Sequence, residues 1–255
     1  MLKIIRYVMA DILRSRIIFA YAIFLLIISL SIFNLEDNPS KGMLSMLNII
    51  LIIVPLVSLI FSTIYMYNSS EFIELLLSQP VRRERLLLCI YSGVCLSLLV
   101  AFILGAALPI IIIVGTTTAW MMTAAGLLLT AIFVAMAVLG SVITRDKARG
   151  IGIAIMLWLY FSLFYDAFML LIMFQFSDYP LENTMIALCS LNPVDLARIF
   201  ILLSMDISAL MGYTGALFSE FFGTFRGTAY VTGIMSLWII IPLWFAVKKF
   251  KRKDL

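Results

Sequence analysis

Long runs of apolar residues, separated by short charged segments, dominate the chain. A membrane-spanning helix needs about 20 predominantly apolar residues, because it must cross the hydrocarbon core of the bilayer. Six stretches meet this requirement, at residues 17–33, 44–66, 86–114, 120–144, 151–174 and 229–247. The pattern therefore predicts an all-α integral membrane protein with six transmembrane helices, surrounded by the lipid bilayer.

Composition agrees with this class of protein. Of the 255 residues, 64% are hydrophobic and 13% are charged, whereas a typical globular protein has about 45–50% apolar and about 25% charged residues. The chain contains no histidine, which removes histidine metal sites and serine–histidine or cysteine–histidine catalysis. A soluble enzyme is therefore not expected, and no catalytic residue is predicted.

The three cysteines do not suggest a metal site or a disulfide framework. Cys89, Cys95 and Cys189 all lie in apolar stretches, and no two of them have a C-x-x-C spacing. We expect them to be small buried residues of the core. No metal and no cofactor are predicted to bind to this chain.

Positive charge is distributed unevenly, and this predicts the orientation. Fifteen of the 18 Lys and Arg residues lie before the first apolar stretch, after the second, after the fourth or after the sixth. Because Lys and Arg in short loops stay on the cytoplasmic side, we predict a multi-pass protein with both termini in the cytoplasm. The net charge of +4 then follows from topology, and no nucleic-acid partner is expected.

The N-terminal segment, residues 1–16, has an amphipathic pattern. Apolar residues recur at helical spacing from Leu2 to Leu13, while Lys3, Arg6 and Arg14 fall mostly on the other side. This pattern is typical of a helix that lies in the membrane interface. The alternative is that the first span simply begins after an irregular start.

The segment before the last span, residues 175–228, is long and contains apolar runs of its own. A further span over 184–205 would place Asp195 and Arg198 near its centre, at about 2.5–3.5 kcal/mol each. We therefore predict an outer region of short re-entrant or interfacial helices, which need protein contacts to cover their backbone. Asn192 and Pro193 predict a helix start, with Asn as the cap and Pro as the first helical residue.

Between the second and third spans, the sequence predicts a short helix at residues 70–80. Ser70 is the expected cap, Phe72, Leu75 and Leu76 share one side at helical spacing, and Pro80 ends the helix. A cytoplasmic helix of mixed acidic and apolar character suggests that a cytoplasmic partner holds it. The alternative is a loop that rests on the lipid surface.

These features together resemble the permease subunits of ABC-2 type transporters. The resemblance covers essentially all of residues 1–255 as a single domain, and it includes the run Glu-Leu-Leu-Leu-Ser-Gln-Pro-Val-Arg-Arg at residues 74–83. It implies a bacterial cytoplasmic (inner) membrane protein that forms a homodimer. It also implies that 70–80 is a coupling helix, which contacts a separate ATPase subunit. The residues expected at that contact are Glu71, Glu74, Leu75, Gln79, Pro80, Val81, Arg82 and Arg83.

No G-x-x-x-x-G-K-[ST] motif occurs in the chain. ATP and Mg are therefore expected on the partner ATPase subunit. More narrowly, residues 191–198 and 212–216 are similar to permeases that serve the maturation of nitrous oxide reductase. That similarity implies a periplasmic partner.

Asp166 is the one ionisable residue well inside a predicted span. An intramembrane carboxylate marks a functional site by default, but a pairing with Arg198 or Arg226 would also satisfy it. Asp195 and Arg198 are three residues apart and share a helical face. With Asn192 and Pro193 they are predicted to orient the outer region for an outer partner or for gating, unless they only mark the waterline of an interfacial helix.

Two other functions remain open at this level. One is a scaffold that passes ATPase movement to an outer partner without passing cargo. The other is a membrane-embedded enzyme that uses Asp166, Glu182, Asp195 and Glu220, although no spacing places these carboxylates on one helical face.

Overall fold

The computed structural model describes residues 2–36, 38–78, 82–175, 187–204 and 225–252. Within these ranges all regular structure is helical. The helices are α1 (Leu2–Leu13), α2 (Arg16–Leu35), α3 (Pro39–Asn68), α4 (Ser70–Leu77), α5 (Arg83–Phe102), α6 (Leu108–Val114), α7 (Thr117–Ile143), α8 (Lys147–Leu159), α9 (Tyr165–Gln175), α10 (Pro193–Ser204) and α11 (Phe225–Lys251).

Six of the segments are long and apolar enough to cross a membrane, which confirms the predicted spans. Span 1 is α2, span 2 is α3 and span 4 is α7. Spans 3, 5 and 6 are Arg83–Val114, Lys147–Ile172 and Gly227–Lys251. The chain is a multi-pass all-α membrane protein.

Two π turns interrupt the helical geometry of spans 3 and 5, and the apolar pattern did not predict either of them. The first, Ile103–Ala107, joins α5 to α6, and the second, Tyr160–Phe164, joins α8 to α9. At the first, Gly105 lies against the backbone of span 1: a Cβ there would stand 2.6 Å from the Ala22 carbonyl oxygen. Span 1 can therefore approach span 3 closely only because a glycine is present.

Span 4 lies at the centre of the bundle and packs against α3, α5, α10 and α11. Its sequence is rich in small residues, which let neighbouring helices come close in a membrane. Gly126 illustrates this, since a Cβ at this position would overlap the ring of Phe102, which is itself fully buried. Small residues thus set the close packing of the core.

Spans 1, 5 and 6 instead present apolar side chains outward. Phe19, Met156 and Trp244 are each more than half exposed. In water such faces would be unfavourable, but they suit the hydrocarbon core of a bilayer.

A separate helix, α1, precedes span 1, as the amphipathic pattern suggested. It ends before Ser15, which has an extended backbone, and its buried residues Val8 and Ile12 pack against α5. Gly93 of α5 leaves the space that Val8 occupies. The apolar face of α1 is therefore covered by protein, and its position relative to the lipid interface stays a prediction.

The helices α1 and α4 and the end of α11 lie at the same end of the bundle, called the basic end here. The Lys251 Nζ atom is 2.6 Å from Glu84 Oε1, and the Tyr65 hydroxyl donates to Asp11 Oδ2 at 3.4 Å. The first contact joins the end of span 6 to the start of span 3, and the second joins the end of span 2 to α1. The opposite end is called the distal end.

Most of the predicted outer region lies outside the described residues, namely 176–186 and 205–224. The carboxylates Glu182 and Glu220 of the enzyme alternative fall there. The described part of the region contains a helical turn at 187–190 and the helix α10.

Candidate functional site

The helix predicted at 70–80 is present at Ser70–Leu77. Its cap position is Ser69 and not the predicted Ser70, because α3 extends to Asn68 and leaves only Ser69 between the two helices. Neither serine caps by a side-chain hydrogen bond in the expected way: the Ser69 side chain makes no cap hydrogen bond, and Ser70 is already helical. Gln79, Pro80 and Val81 lie outside the described residues.

One face of α4 packs onto the bundle. Ile73 is only 5% exposed, and the Phe72 ring stacks on Tyr7 of α1 with the ring centroids 5.2 Å apart. Leu76 is partly buried against the same core. Phe72, Leu75 and Leu76 share one side of this helix, but the buried face is centred on Ile73, so Leu75 lies beyond its covered edge.

The other face of α4 projects away from the bundle. Leu75 is 67% exposed, and Glu71 and Glu74 are exposed beside it. Arg82 and Arg83, at the start of α5, are exposed as well. We call these five residues the docking surface; a large apolar residue among charges is the composition expected at a protein contact.

The end of α3, which leads directly into α4, is fixed to the loop between spans 4 and 5. The Tyr67 hydroxyl hydrogen-bonds the Thr144 side chain and donates to the Thr144 carbonyl oxygen at 3.2 Å. The Lys147 Nζ atom donates to Asn68 Oδ1 at 2.7 Å. We call this contact the Tyr67 joint, and no sequence motif indicated it.

Gly150, in the first turn of α8, completes the Tyr67 joint. The Tyr67 ring and hydroxyl lie directly over its Cα, so that a Cβ would overlap them. Gly152, only two residues later, has no atom near the corresponding position. The absence of a side chain at position 150 is therefore what lets α3 and α8 meet.

At the distal side, Asn192 forms the predicted cap of α10. Its Oδ1 atom accepts from the Val194 backbone N–H at 2.9 Å, and Pro193 is the first helical residue. Its Nδ2 atom donates to the Phe161 carbonyl oxygen at 2.9 Å and to Asp195 Oδ2 at 2.8 Å. Since Phe161 belongs to the π turn of span 5, one fully buried amide links α10 to that turn.

Arg198 connects the two acidic residues of the cluster. Its Nη1 atom lies 2.7 Å from Asp166 Oδ2 and 3.4 Å from Asp195 Oδ1. Asp166 is thus paired with Arg198, one of the two partners expected from the sequence. Asp166, Asn192, Pro193, Asp195 and Arg198, predicted separately, come together here and form what we call the polar cluster.

Burial makes the two carboxylates of the polar cluster unequal. The Asp195 side chain is only 8% exposed, whereas those of Asp166 and Arg198 are 29% and 31% exposed. Burial, together with the neighbouring Asp166 carboxylate, raises the pKa of Asp195 to about 8, against the opposing effect of Arg198 and Asn192. A single guanidinium balances only one carboxylate, which favours the protonated form of Asp195.

Aromatic side chains hold the turn at 187–190, which precedes α10, by hydrogen bonds to its backbone. The Tyr165 hydroxyl donates to the Leu188 carbonyl oxygen at 2.6 Å, and Trp238 Nε1 donates to the Ser190 carbonyl oxygen at 3.1 Å. The Phe161 ring packs edge-on against Trp238, with centroids 5.6 Å apart. Sequence reasoning missed these residues, because an aromatic residue in a span looks the same whether it faces lipid or protein.

The polar cluster lies far from the basic end along spans 5 and 6. A helix rises about 1.5 Å per residue, so Phe161 stands about 21 Å from Lys147 at the basic end of span 5. Trp238 lies about 20 Å from Lys251 at the basic end of span 6 by the same rise. The start of α10 is therefore remote from the basic end, and its re-entrant or interfacial position stays a prediction.

Comparison with known proteins places the chain in a family. Residues 4–255 match the family described as ABC-2 family transporter protein. The chain is also similar to the probable ABC transporter permease protein NosY of Pseudomonas aeruginosa, with 28% identity over 82% of this chain and 84% of that protein.

Proposed function

We propose that this chain, which belongs to the ABC-2 family of transporter proteins, transmits the movement of a separate ATPase subunit from α4 to the polar cluster. As a member of that family it is the permease subunit of an ABC transporter, and the family implies an ATPase partner. ATP and Mg would bind to that partner. The proposal concerns which residues of this chain carry the coupling.

The Tyr67 joint is the observation that supports this role. Because α4 follows α3 with one residue between them, a force on α4 acts at once on the end of α3. Tyr67 and Asn68 then contact Thr144, Lys147 and the first turn of α8. Rigid helices pass small displacements along their length, so the start of span 5 would move with the docking surface.

Span 5 leads from the Tyr67 joint to the polar cluster. Its π turn provides the Phe161 carbonyl that binds Asn192, and Asp166 follows within two residues of the turn. A displacement of span 5 would therefore act on α10 through Asn192 and Arg198. In this proposal, the polar cluster orients the outer region for gating or for an outer partner.

The orientation and the assembly are part of the same proposal. The cation distribution supports a bacterial inner membrane protein with the basic end and both termini in the cytoplasm. The exposed apolar faces of spans 1 and 5 support packing against a second copy of the chain as well as against lipid. The scaffold alternative uses the same path and differs only in whether cargo crosses.

A finer role is service to the maturation of a periplasmic metalloenzyme such as nitrous oxide reductase. It rests on the resemblance of residues 191–198 and 212–216 noted above, and the similarity to NosY is in keeping with it. Cells that lack this chain should then produce the periplasmic enzyme without activity. Full activity in such cells would contradict this finer role while leaving the coupling role intact.

The coupling role can be tested at the docking surface. Glu74→Arg and Arg83→Glu should each reduce copurification of the ATPase subunit, because charge reversal opposes the complementary partner surface. Lys41→Glu, an exposed change at the distal end, is the matched control and should bind the ATPase as the unmodified chain does. Unchanged binding and unchanged stimulated ATPase activity in both docking variants would remove this surface from the mechanism.

A further inference from the structure

A second site lies at the basic end, and no residue of the docking surface lines it. It is a cavity of about 350 Å³ between the end of α7 and the end of α11. Five residues line it: Val142, Ile143, Arg145, Lys249 and Arg252. We call this cavity the basic pocket.

Three of the five lining residues carry a positive charge, and none carries a negative one. Two nearby acidic residues are engaged elsewhere. Glu84 Oε1 pairs with Lys251 Nζ at 2.6 Å. Asp146 Oδ2 lies 3.9 Å from Arg149 Nε, and Asp146 Oδ1 accepts from the Ala148 backbone N–H at the start of α8. Glu74 lines an adjoining cavity of about 320 Å³, which shares Arg145 with the basic pocket.

Helix ends do not cancel this charge. Both α7 and α11 end beside the pocket, and each helix C-terminus carries about half a negative charge. Two such ends supply about one negative charge against three cations. The basic pocket therefore keeps an excess of positive charge, which favours an anion.

The position and the apolar wall of the pocket indicate the source of that anion. Ile143 lines the pocket and is 50% exposed. On α11, Trp244 is 56% exposed and its ring meets that of Phe245 edge-on, and Lys248 Nζ lies 5.0 Å from the Trp244 ring centroid. Exposed tryptophan beside lysine is typical of the headgroup level of a membrane.

We propose that the basic pocket binds the phosphate group of an anionic membrane lipid. Arg145, Lys249 and Arg252 contact the phosphate, and Ile143 with Val142 borders the first part of the acyl chains. Basic pockets between helices at a membrane surface recognise such headgroups. A soluble phosphate would use the cations but would gain nothing from the exposed Ile143.

The test uses the purified full-length chain and three probes. Binding is measured by native mass spectrometry and by thermal stabilisation with phosphatidylglycerol, with phosphatidylcholine of the same acyl chains, and with inorganic phosphate. We expect phosphatidylglycerol to bind and stabilise selectively. Equal stabilisation by inorganic phosphate would assign the site to a soluble ligand and overturn the lipid proposal.

The variant R145Q/K249Q/R252Q should weaken phosphatidylglycerol binding by about fivefold for each cation removed. The control K3Q/R6Q/R14Q removes three exposed cations from the N-terminal segment at the same end and should bind as the unmodified chain does. Equal weakening in both would show attraction by general surface charge and contradict a defined site. Should the triple pocket variant fail to fold, R252Q alone, at the exposed end of α11, should still show the single fivefold loss.

A protein contact at the same pocket has a different signature. If the pocket variant kept its lipid binding but lost the ATPase subunit on copurification, the cations would serve the protein interface and the lipid proposal would be wrong. Loss of lipid binding with the ATPase subunit retained is the result that we predict.

Discussion

Asn192→Ala should destabilise the chain more than any exposed amide substitution. The Asn192 side chain makes three hydrogen bonds while fully buried: it caps α10 and donates to the Phe161 carbonyl and to Asp195. Loss of a cap costs about 1 kcal/mol, and each buried acceptor left without its donor costs about 1–3 kcal/mol in a protein interior. Hydrogen bonds in membrane proteins average nearer 0.6 kcal/mol, so an overall loss of about 3 kcal/mol is expected.

The buried cysteines provide the assay for this prediction. Cys89, Cys95 and Cys189 are at most 7% exposed, so a fluorogenic maleimide should react with them only on unfolding. A loss of 3 kcal/mol should lower Tm by about 6–12 °C at about 2–4 °C per kcal/mol. The control is Asn34→Ala, whose exposed amide donates only to Leu30 within its own helix. A Tm within about 2 °C of that control would refute the view that Asn192 anchors α10.

Three further predictions concern the polar cluster, the Tyr67 joint and the orientation. The pKa of Asp195 is higher in the folded state than in the unfolded state, so the folded state binds this proton more tightly. Tm should therefore fall as pH rises from about 4 to 8. The variant Asp195→Asn should flatten that part of the curve of Tm against pH. Gly150→Ala should lower the free energy of unfolding by about 1–3 kcal/mol, because the added methyl group overpacks against Tyr67, and should reduce stimulated ATPase activity. Gly152→Ala, with open space around it, should change neither quantity. Cysteines placed at Asn38 and Ser78, both exposed, should react with impermeant reagents from the periplasm and the cytoplasm respectively, and the reverse pattern would overturn the predicted orientation.

The lengths of the apolar stretches carried the sequence predictions that the structure supports. Six apolar stretches gave six spans, because crossing a bilayer imposes a minimum helix length, which no other helix among the described residues reaches with the required hydropathy. The Asn192 cap was also predictable, since an Asn–Pro step has few other local conformations that suit it.

Contacts between distant segments were not predictable in the same way. Ile73, the centre of the buried face of α4, is one apolar residue among several, and only the neighbouring α1 and α3 decide which side is covered. The Tyr67 joint depends on a glycine 83 residues away from the tyrosine, and glycine is common in membrane helices for several reasons. The π turns depend on packing and not on hydropathy.

The polar cluster illustrates the same division. Each of its charged residues was recognisable from the sequence as costly in an apolar setting. The sequence alone does not show which distant residues are in contact. Asp166 and Arg198 are 32 residues apart, and a segment outside the described residues lies between them. Their pairing depends on the hydrogen bonds by which Tyr165 and Trp238 hold the turn before α10.

The central claim, that the Tyr67 joint carries movement from the docking surface to the polar cluster, has one most direct test. An environment-sensitive fluorophore on Leu191→Cys, which is 59% exposed beside Asn192, would report on the polar cluster in the complex with the ATPase subunit. ATP and Mg should change its emission in the otherwise unmodified chain and in a Tyr65→Ala control, whose hydroxyl contacts Asp11 instead of the joint. In Tyr67→Ala the ATPase subunit should remain bound while the emission change is lost. An emission change of the same size in Tyr67→Ala, with the ATPase subunit retained, would contradict the account.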